Sequence, residues 1–184
     1  MAMSDRFPGI RPRLTMGRRL DIVWRQAFPG ITSILLMLLS VANFGPRGQS
    51  ALLPMVSIIC VWFWSLYRPA AMSPPIAFVI GLLLDLLGYL PLGVGPVTML
   101  TTHGLARQLR RFLVRQGFMV VWLTFIVVAF GIAVMNWTLV SLLTLSVEPP
   151  GPMLLVAGLV AATYPVIALP LALAHRSIAD PDLA

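Results

Sequence analysis

The chain has 184 residues, 59% of them hydrophobic and 10% charged, whereas soluble domains carry about 25% charged residues. Its net charge of +7 comes from arginine alone, and the arginines sit in gaps between apolar blocks long enough to cross roughly 30 Å of hydrocarbon. This excludes an ordinary soluble domain and favours the positive-inside rule over nucleic-acid binding as the reason for the charge, while the lone Cys60 excludes a disulfide framework.

An all-α integral membrane protein follows, expected as a bundle of six transmembrane helices with cytoplasmic N- and C-termini. Residues 1–27 form a basic cytoplasmic tail holding Arg6, Arg11, Arg13, Arg18, Arg19 and Arg25. Met16, Leu20, Val23, Trp24 and Ala27 fall on one helical face, and Arg18, Asp21 and Arg25 on another. That spacing describes an interfacial helix on an anionic surface. A disordered tail is the competing expectation, since Ile22 interrupts the pattern.

The six-span domain covers residues 28–174. Span 1 is expected over Phe28–Phe44. Its Ser40-Val41-Ala42 resembles a signal-peptidase site, but the long basic region ahead of it favours an uncleaved span. Span 2 covers Ala51–Tyr67, with Trp62, Trp64 and Tyr67 expected as an interfacial aromatic belt. Span 3, Pro74–Leu90, opens on a proline pair where missing amide donors cost least. Span 4, Gly93–Ala106, is short and is expected to continue as helix into Arg107-Gln108-Leu109-Arg110-Arg111, whose side chains can snorkel to headgroups. Span 5, Phe118–Leu145, exceeds a bilayer's need and implies tilt or extension. Span 6, Met153–Ala174, carries Gly158, Pro165 and Pro170 and should be kinked. A short cytoplasmic tail, 175–184, closes the chain.

Charge sets the orientation. With six spans, Arg68, Arg107, Arg110, Arg111, Arg115 and Arg176 share a side with the six arginines of the tail, and only Arg47 lies opposite. That bias places both termini in the cytoplasm. The basic segments Arg18–Arg25 and Arg107–Arg115 then lie against the anionic cytoplasmic leaflet.

One acid lies within the apolar spans. Asp85 shares a helical face with Ala77, Gly81 and Gly88, small residues whose spacing lets another helix approach closely. An intramembrane acid marks a ligand or proton site, or else a polar anchor. The anchor is favoured, because no second acid or nearby arginine accompanies Asp85. The turn through Pro91, Gly93 and Gly95 makes spans 3 and 4 neighbours. It brings His103 to within about one helical turn of Asp85 in depth, with Thr98, Thr101 and Thr102 placed to relay between them. A direct Asp85–His103 pair is one arrangement; a histidine bonded to a carbonyl or interfacial water is the other. An anchor role further implies that Asp85→Asn is tolerated.

Catalytic readings fail by counting. Paired-carboxylate chemistry needs two facing acids, and the spans offer one. Ser57, Ser65 and Ser141 lack a Gly-x-Ser-x-Gly setting. Asp85 and His103 alone underligate a transition metal, and Gly93-Val94-Gly95 lacks the strand and lysine of a phosphate loop. Neither cofactor nor metal is expected. Asn136, Thr138 and Tyr164 read as interhelical hydrogen-bonding groups.

The stretch Arg68–Arg111 resembles the rod shape-determining protein MreD family. The likeness rests on Arg68-Pro69, the Pro74-Pro75 pair, Gly81-Leu82-Leu83-Leu84-Asp85-Leu86-Leu87, Pro91-Leu92-Gly93 and the basic exit Arg107–Arg111. It covers about a quarter of the chain; beyond that, only size and topology agree. The long arginine-rich tail departs from a typical member. The resemblance implies a non-enzymatic scaffold in the bacterial inner membrane, beside the bitopic protein MreC, within the peptidoglycan-synthesising elongation complex. It also implies a plan similar to the six-helix substrate-binding subunits of energy-coupling-factor transporters. A small-molecule carrier lined by Asp85, His103 and the threonines is therefore the alternative function. The Ala77–Gly81–Asp85–Gly88 face, together with neighbouring surfaces, is the expected docking site for partner helices.

Overall fold

A computed structural model describes the backbone of residues 16–88, 91–146 and 149–179. Side chains are described within these ranges except at 16–23, 25, 41–53 and 176–179. The described chain is helical throughout, in five runs: α1 (Met16–Tyr67), α2 (Pro74–Gly88), α3 (Val94–Leu113), α4 (Phe118–Thr144) and α5 (Pro150–Ala179).

The first run is really two antiparallel arms. Fifty-two residues of straight α-helix would reach about 78 Å, and would hold Phe28 and Trp64 about 54 Å apart. Instead the Phe28 and Trp64 rings meet edge to face at 6.0 Å. The Cys60 thiol also lies beside the Ser33 side chain. Chain direction must therefore reverse between Ser40 and Pro54. Both contacts are symmetric about positions 46–47, within the Gly45-Pro46-Arg47-Gly48 stretch where the sequence separates its first two apolar blocks. Where a loop between spans 1 and 2 is expected, the backbone stays helical up to and beyond the reversal.

The second arm, Pro54–Tyr67, is the axis of the molecule. Every residue from Ser57 to Leu66 is buried, as suits a helix apolar on all sides. It meets the first arm through Phe28 and Trp64. It reaches α3 through Ser65 and His103, α4 through Trp62 and Phe125, and α5 through Trp64 and His175. Around it, α2 packs on α3, α3 on α4, and α4 on α5. The tryptophans accordingly contradict the expected aromatic belt. Trp62 and Trp64 are each 0% exposed, because a central helix offers its large rings neighbours on every side.

The outer helices are apolar outward as well as inward. On α4, Val121, Phe125, Val128 and Ile132 face the core, yet Met119, Leu123, Val127 and Val134 form an exposed stripe at helical spacing. On α5, Leu155, Val166, Leu169 and Leu173 do the same, as do Phe78, Val79, Leu82 and Leu86 on α2. Two helices are long and apolar enough to cross a membrane: Phe118–Thr144, with mean hydropathy 2.6, and Pro150–His175, with 2.1. Only 22% and 33% of their apolar windows lie inside the bundle. The core helix of a water-soluble protein buries most of such a surface. Shorter apolar helices cover Gln26–Ser40, Pro54–Tyr67 and Pro74–Gly88.

Candidate functional site

The polar centre of the molecule is the hinge between α2 and α3. Asp85, 2% exposed on α2, reaches across the turn and accepts two backbone hydrogen bonds. Its Oδ2 takes the Gly93 N–H and its Oδ1 the Gly95 N–H, both at 2.7 Å. Gly93 is the N-cap of α3 and has no side chain to cap the helix itself; its φ of 107° lies in the left-handed region that suits glycine. Asp85 thus supplies from another helix the acceptor that an N-cap serine or aspartate would normally provide.

All the donors opening α3 are accounted for. Val94 donates to the Pro91 carbonyl at 3.3 Å and Val97 to the Gly93 carbonyl at 3.2 Å, while Pro96 has no N–H to place. A carboxylate at a helix N-terminus also meets the positive end of the helix dipole.

Close approach explains the small residues. A Cβ on Gly81 would lie 2.5 Å from the Gly95 carbonyl oxygen and from the Pro96 nitrogen. One on Gly95 would collide with the Gly81 carbonyl and the Asp85 carboxylate. Ala77 is fully buried, and Gly88 half-buried at the end of α2. The small-residue face is therefore occupied by α3 of the same chain. Its expected use as a docking site for a partner helix is corrected, because no second helix can reach a face already filled.

The expected polar cluster is split between different partners. Asp85 does not pair with His103. His103 Nδ1 instead sits 2.8 Å from Ser65 Oγ on the second arm of α1, both side chains being buried. No partner meets the buried His103 Nε2 among the described residues. The Thr98 hydroxyl lies 2.7 Å from the Val94 carbonyl and also contacts Asn136 Oδ1 of α4. A hydroxyl has a single hydrogen, so both contacts are satisfied when the Asn136 amide presents its NH2 group. Thr102 donates to the Thr98 carbonyl at 2.7 Å, and Thr101 is half-buried on the same helix. These contacts stitch α3 to α1 on one flank and to α4 on the other. They do not converge on a common point. Among the described residues, no three His, Cys, Asp or Glu side chains come together as a metal site would require.

The basic exit of α3 also divides. Arg107, Arg111 and Arg115 are exposed. Arg110 is half-buried and donates from Nε to the Leu66 carbonyl at 2.9 Å. It thereby satisfies one of the carbonyls left open at the C-terminus of α1. Arg18, Arg19 and Arg25 lie outside the described side chains. Their backbone is helical and runs without a break into the first arm.

A second region lies at the same end of the bundle. Phe63 and Tyr67 of α1, Phe118 of α4, and Tyr164, Pro165, Ala168, Leu169, Ala172 and His175 of α5 line a cavity of about 400 Å³. Tyr164 stacks on Phe125 at 4.4 Å and on Phe118 at 6.2 Å. His175 leans on Tyr67 at 5.9 Å and on Trp64 at 6.3 Å. The expected tail beginning at His175 is helical to Ala179, so His175 belongs to α5.

No protein-family model, curated protein or solved structure matches the chain.

Four contacts were not anticipated from sequence. The double acceptance by Asp85 had a partial signal, an acid followed within ten residues by Gly-x-Gly opening a helix. Pro165 announces an orphan carbonyl four residues earlier, at Ala161; the donor that fills it, Trp122 Nε1 at 2.9 Å, comes from another helix. Ser65–His103 and Arg110–Leu66 join residues 38 and 44 positions apart, and no local pattern marks them.

Proposed function

We propose that the chain is a multi-pass protein of the bacterial inner membrane and a non-enzymatic scaffold of the cell-elongation machinery. It spans the bilayer six times, counting both arms of α1, with both termini in the cytoplasm. Its role is to hold a bitopic partner of the MreC kind near the sites of peptidoglycan synthesis. The resemblance of Arg68–Arg111 to the MreD family supports this role, and the outward apolar stripes support the membrane setting.

The observation that carries the non-enzymatic reading is the commitment of Asp85. Both of its oxygens are occupied by backbone donors that build the α2–α3 hinge, so the one acid of the spans is a structural element. Ser65 and His103 touch, but both side chains are buried. With the Ala77–Gly81–Asp85–Gly88 face closed, the partner meets the outer apolar surfaces, of which the α2 stripe Phe78–Leu82–Leu86 lies within the family-like segment.

A carrier or substrate-binding subunit is the second reading, and the cavity beside Tyr164 favours it. Neither Asp85, His103 nor the threonines are among the residues that line that cavity, which makes it a poor fit to the polar site expected of such a carrier.

The test is depletion combined with affinity purification from membranes. The scaffold reading predicts rounded cells and co-purification of a bitopic elongation protein. Unchanged rods together with impaired uptake of a small molecule would favour the carrier.

A further inference from the structure

We propose that the cavity between α1, α4 and α5 holds an anionic phospholipid of the cytoplasmic leaflet, with one acyl chain along Phe63, Phe118, Tyr164 and Leu169 and the phosphate at Tyr67 and His175. The inference rests on the membrane setting proposed above and does not depend on the scaffold role.

Size and shape come first. About 400 Å³ falls within the roughly 300–1,000 Å³ of ligand-binding pockets, and a void this large between packed helices is not ordinary packing slack. The cavity extends along α5 from Tyr164 to His175, about 16 Å at the helical rise. That is about half of a ~30 Å hydrocarbon layer, the depth of one leaflet.

Its chemistry is graded along this length. The body is aromatic and aliphatic apart from the buried Tyr164 hydroxyl, and two further polar groups, the Tyr67 hydroxyl and the His175 imidazole, stand together at the far end with their rings 5.9 Å apart. The Nδ1 atom of His175 is buried and has no hydrogen-bond partner among the described residues. An unmet buried polar atom is costly, and a rotation of the ring that turns this atom to the cavity would let a phosphate oxygen or headgroup hydroxyl complete it.

Charge and access point the same way. Arg68 is close enough to His175 for its charge to act on the ring, and Arg110 is bonded to Leu66, next to Tyr67. The polar end therefore sits beside the arginine-rich rim of the bundle, where an anion is favoured. The side walls open outward. Phe118 and Leu169 are both lining residues and exposed ones, and Leu169 belongs to the outward stripe of α5. A ligand enters from the lipid side, as an acyl chain does.

Full-length protein purified in detergent would be incubated with dioleoylphosphatidylglycerol or dioleoylphosphatidylcholine and examined by native mass spectrometry. Wild type should retain one phosphatidylglycerol in clear preference to phosphatidylcholine. Ala172→Phe fills the cavity from a half-buried position and should reduce the lipid-bound fraction several-fold. Leu155→Phe, on the exposed side of α5, should leave it unchanged. His175→Phe keeps the ring but removes its polar atoms; it should bring retention of the two lipids to parity without abolishing it.

Thermal unfolding of each variant separates lost binding from lost folding. Retention by Ala172→Phe equal to wild type, or by wild type of neither lipid, overturns the site. Equal retention of both lipids by wild type overturns the headgroup assignment. Extraction of native membranes with alkaline carbonate distinguishes the underlying failure: release of the protein would remove the membrane setting itself.

Discussion

Asp85 has two oxygens and two donors, and this stoichiometry governs what may replace it. Asparagine keeps one acceptor but turns an NH2 group toward either the part-buried Gly93 N–H or the buried Gly95 N–H, so one of the two faces another donor. The tolerance expected of Asp85→Asn on the anchor reading is thereby reversed. The substitution should destabilise the protein by about 1–3 kcal/mol, the cost of an unmet buried group, read as a lowered unfolding temperature in detergent. A wild-type melting curve for Asp85→Asn would show that the two bonds do not hold the hinge. The neighbouring glycines answer to space. Gly81→Ala puts a methyl 2.5 Å from the Gly95 backbone oxygen, and backbone cannot step aside as a flexible side chain can. A loss of about 1–3 kcal/mol is expected, again by thermal unfolding. Gly104→Ala, on the same helix as Gly95 but with nothing near its Cβ position, should cost no stability.

Among the helices, α4 and α5 are joined by a repair. Pro165 removes the N–H that would bond the Ala161 carbonyl and leaves that acceptor exposed in an apolar setting. The indole of Trp122 supplies the missing donor. Trp122→Phe should therefore cost stability on its own, and should cost less once Pro165→Ala has restored the N–H within α5. The coupling energy of this double-mutant cycle is expected at about 0.5–3 kcal/mol. Strict additivity of the two substitutions would sever the link between proline and indole. The axis arm of α1 is held differently, by Arg110 at its final carbonyls and by rings on all sides. Nothing in its own ends marks it as central, although every residue from Ser57 to Leu66 is buried.

At the level of the whole molecule, the arginines predict orientation. In a Cys60→Ala background, Arg47→Cys should react with a membrane-impermeant maleimide on intact spheroplasts. Gln116→Cys, in the exposed turn before α4, should react only after the membrane is opened. Labelling of both positions from one side would contradict the proposed six-crossing arrangement. The same experiment tests the reversal in α1, since an unreversed run would place Arg47 and Gln116 in a different relation to the bilayer.

Composition and the spacing of apolar blocks were enough to read an all-helical chain, to place α2 to α5 within a few residues, and to single out Asp85 as an anchor. These are properties of near neighbours along the chain: hydropathy, proline, glycine and the 3.6-residue repeat. Three things lay beyond them. The helix that becomes the axis, the acceptors of Asp85 and the partner of His103 depend on which surfaces meet after the chain reverses between Ser40 and Pro54. Trp62 and Trp64 show why. An aromatic residue near the end of an apolar block has the same local signature at a membrane interface as in a crowded core. The small-residue face was legible as a place of close contact, because small side chains permit it. That the contact is α3 of the same chain, and no partner, was decided by the packing of α2 onto α3 and by the carboxylate that locks it.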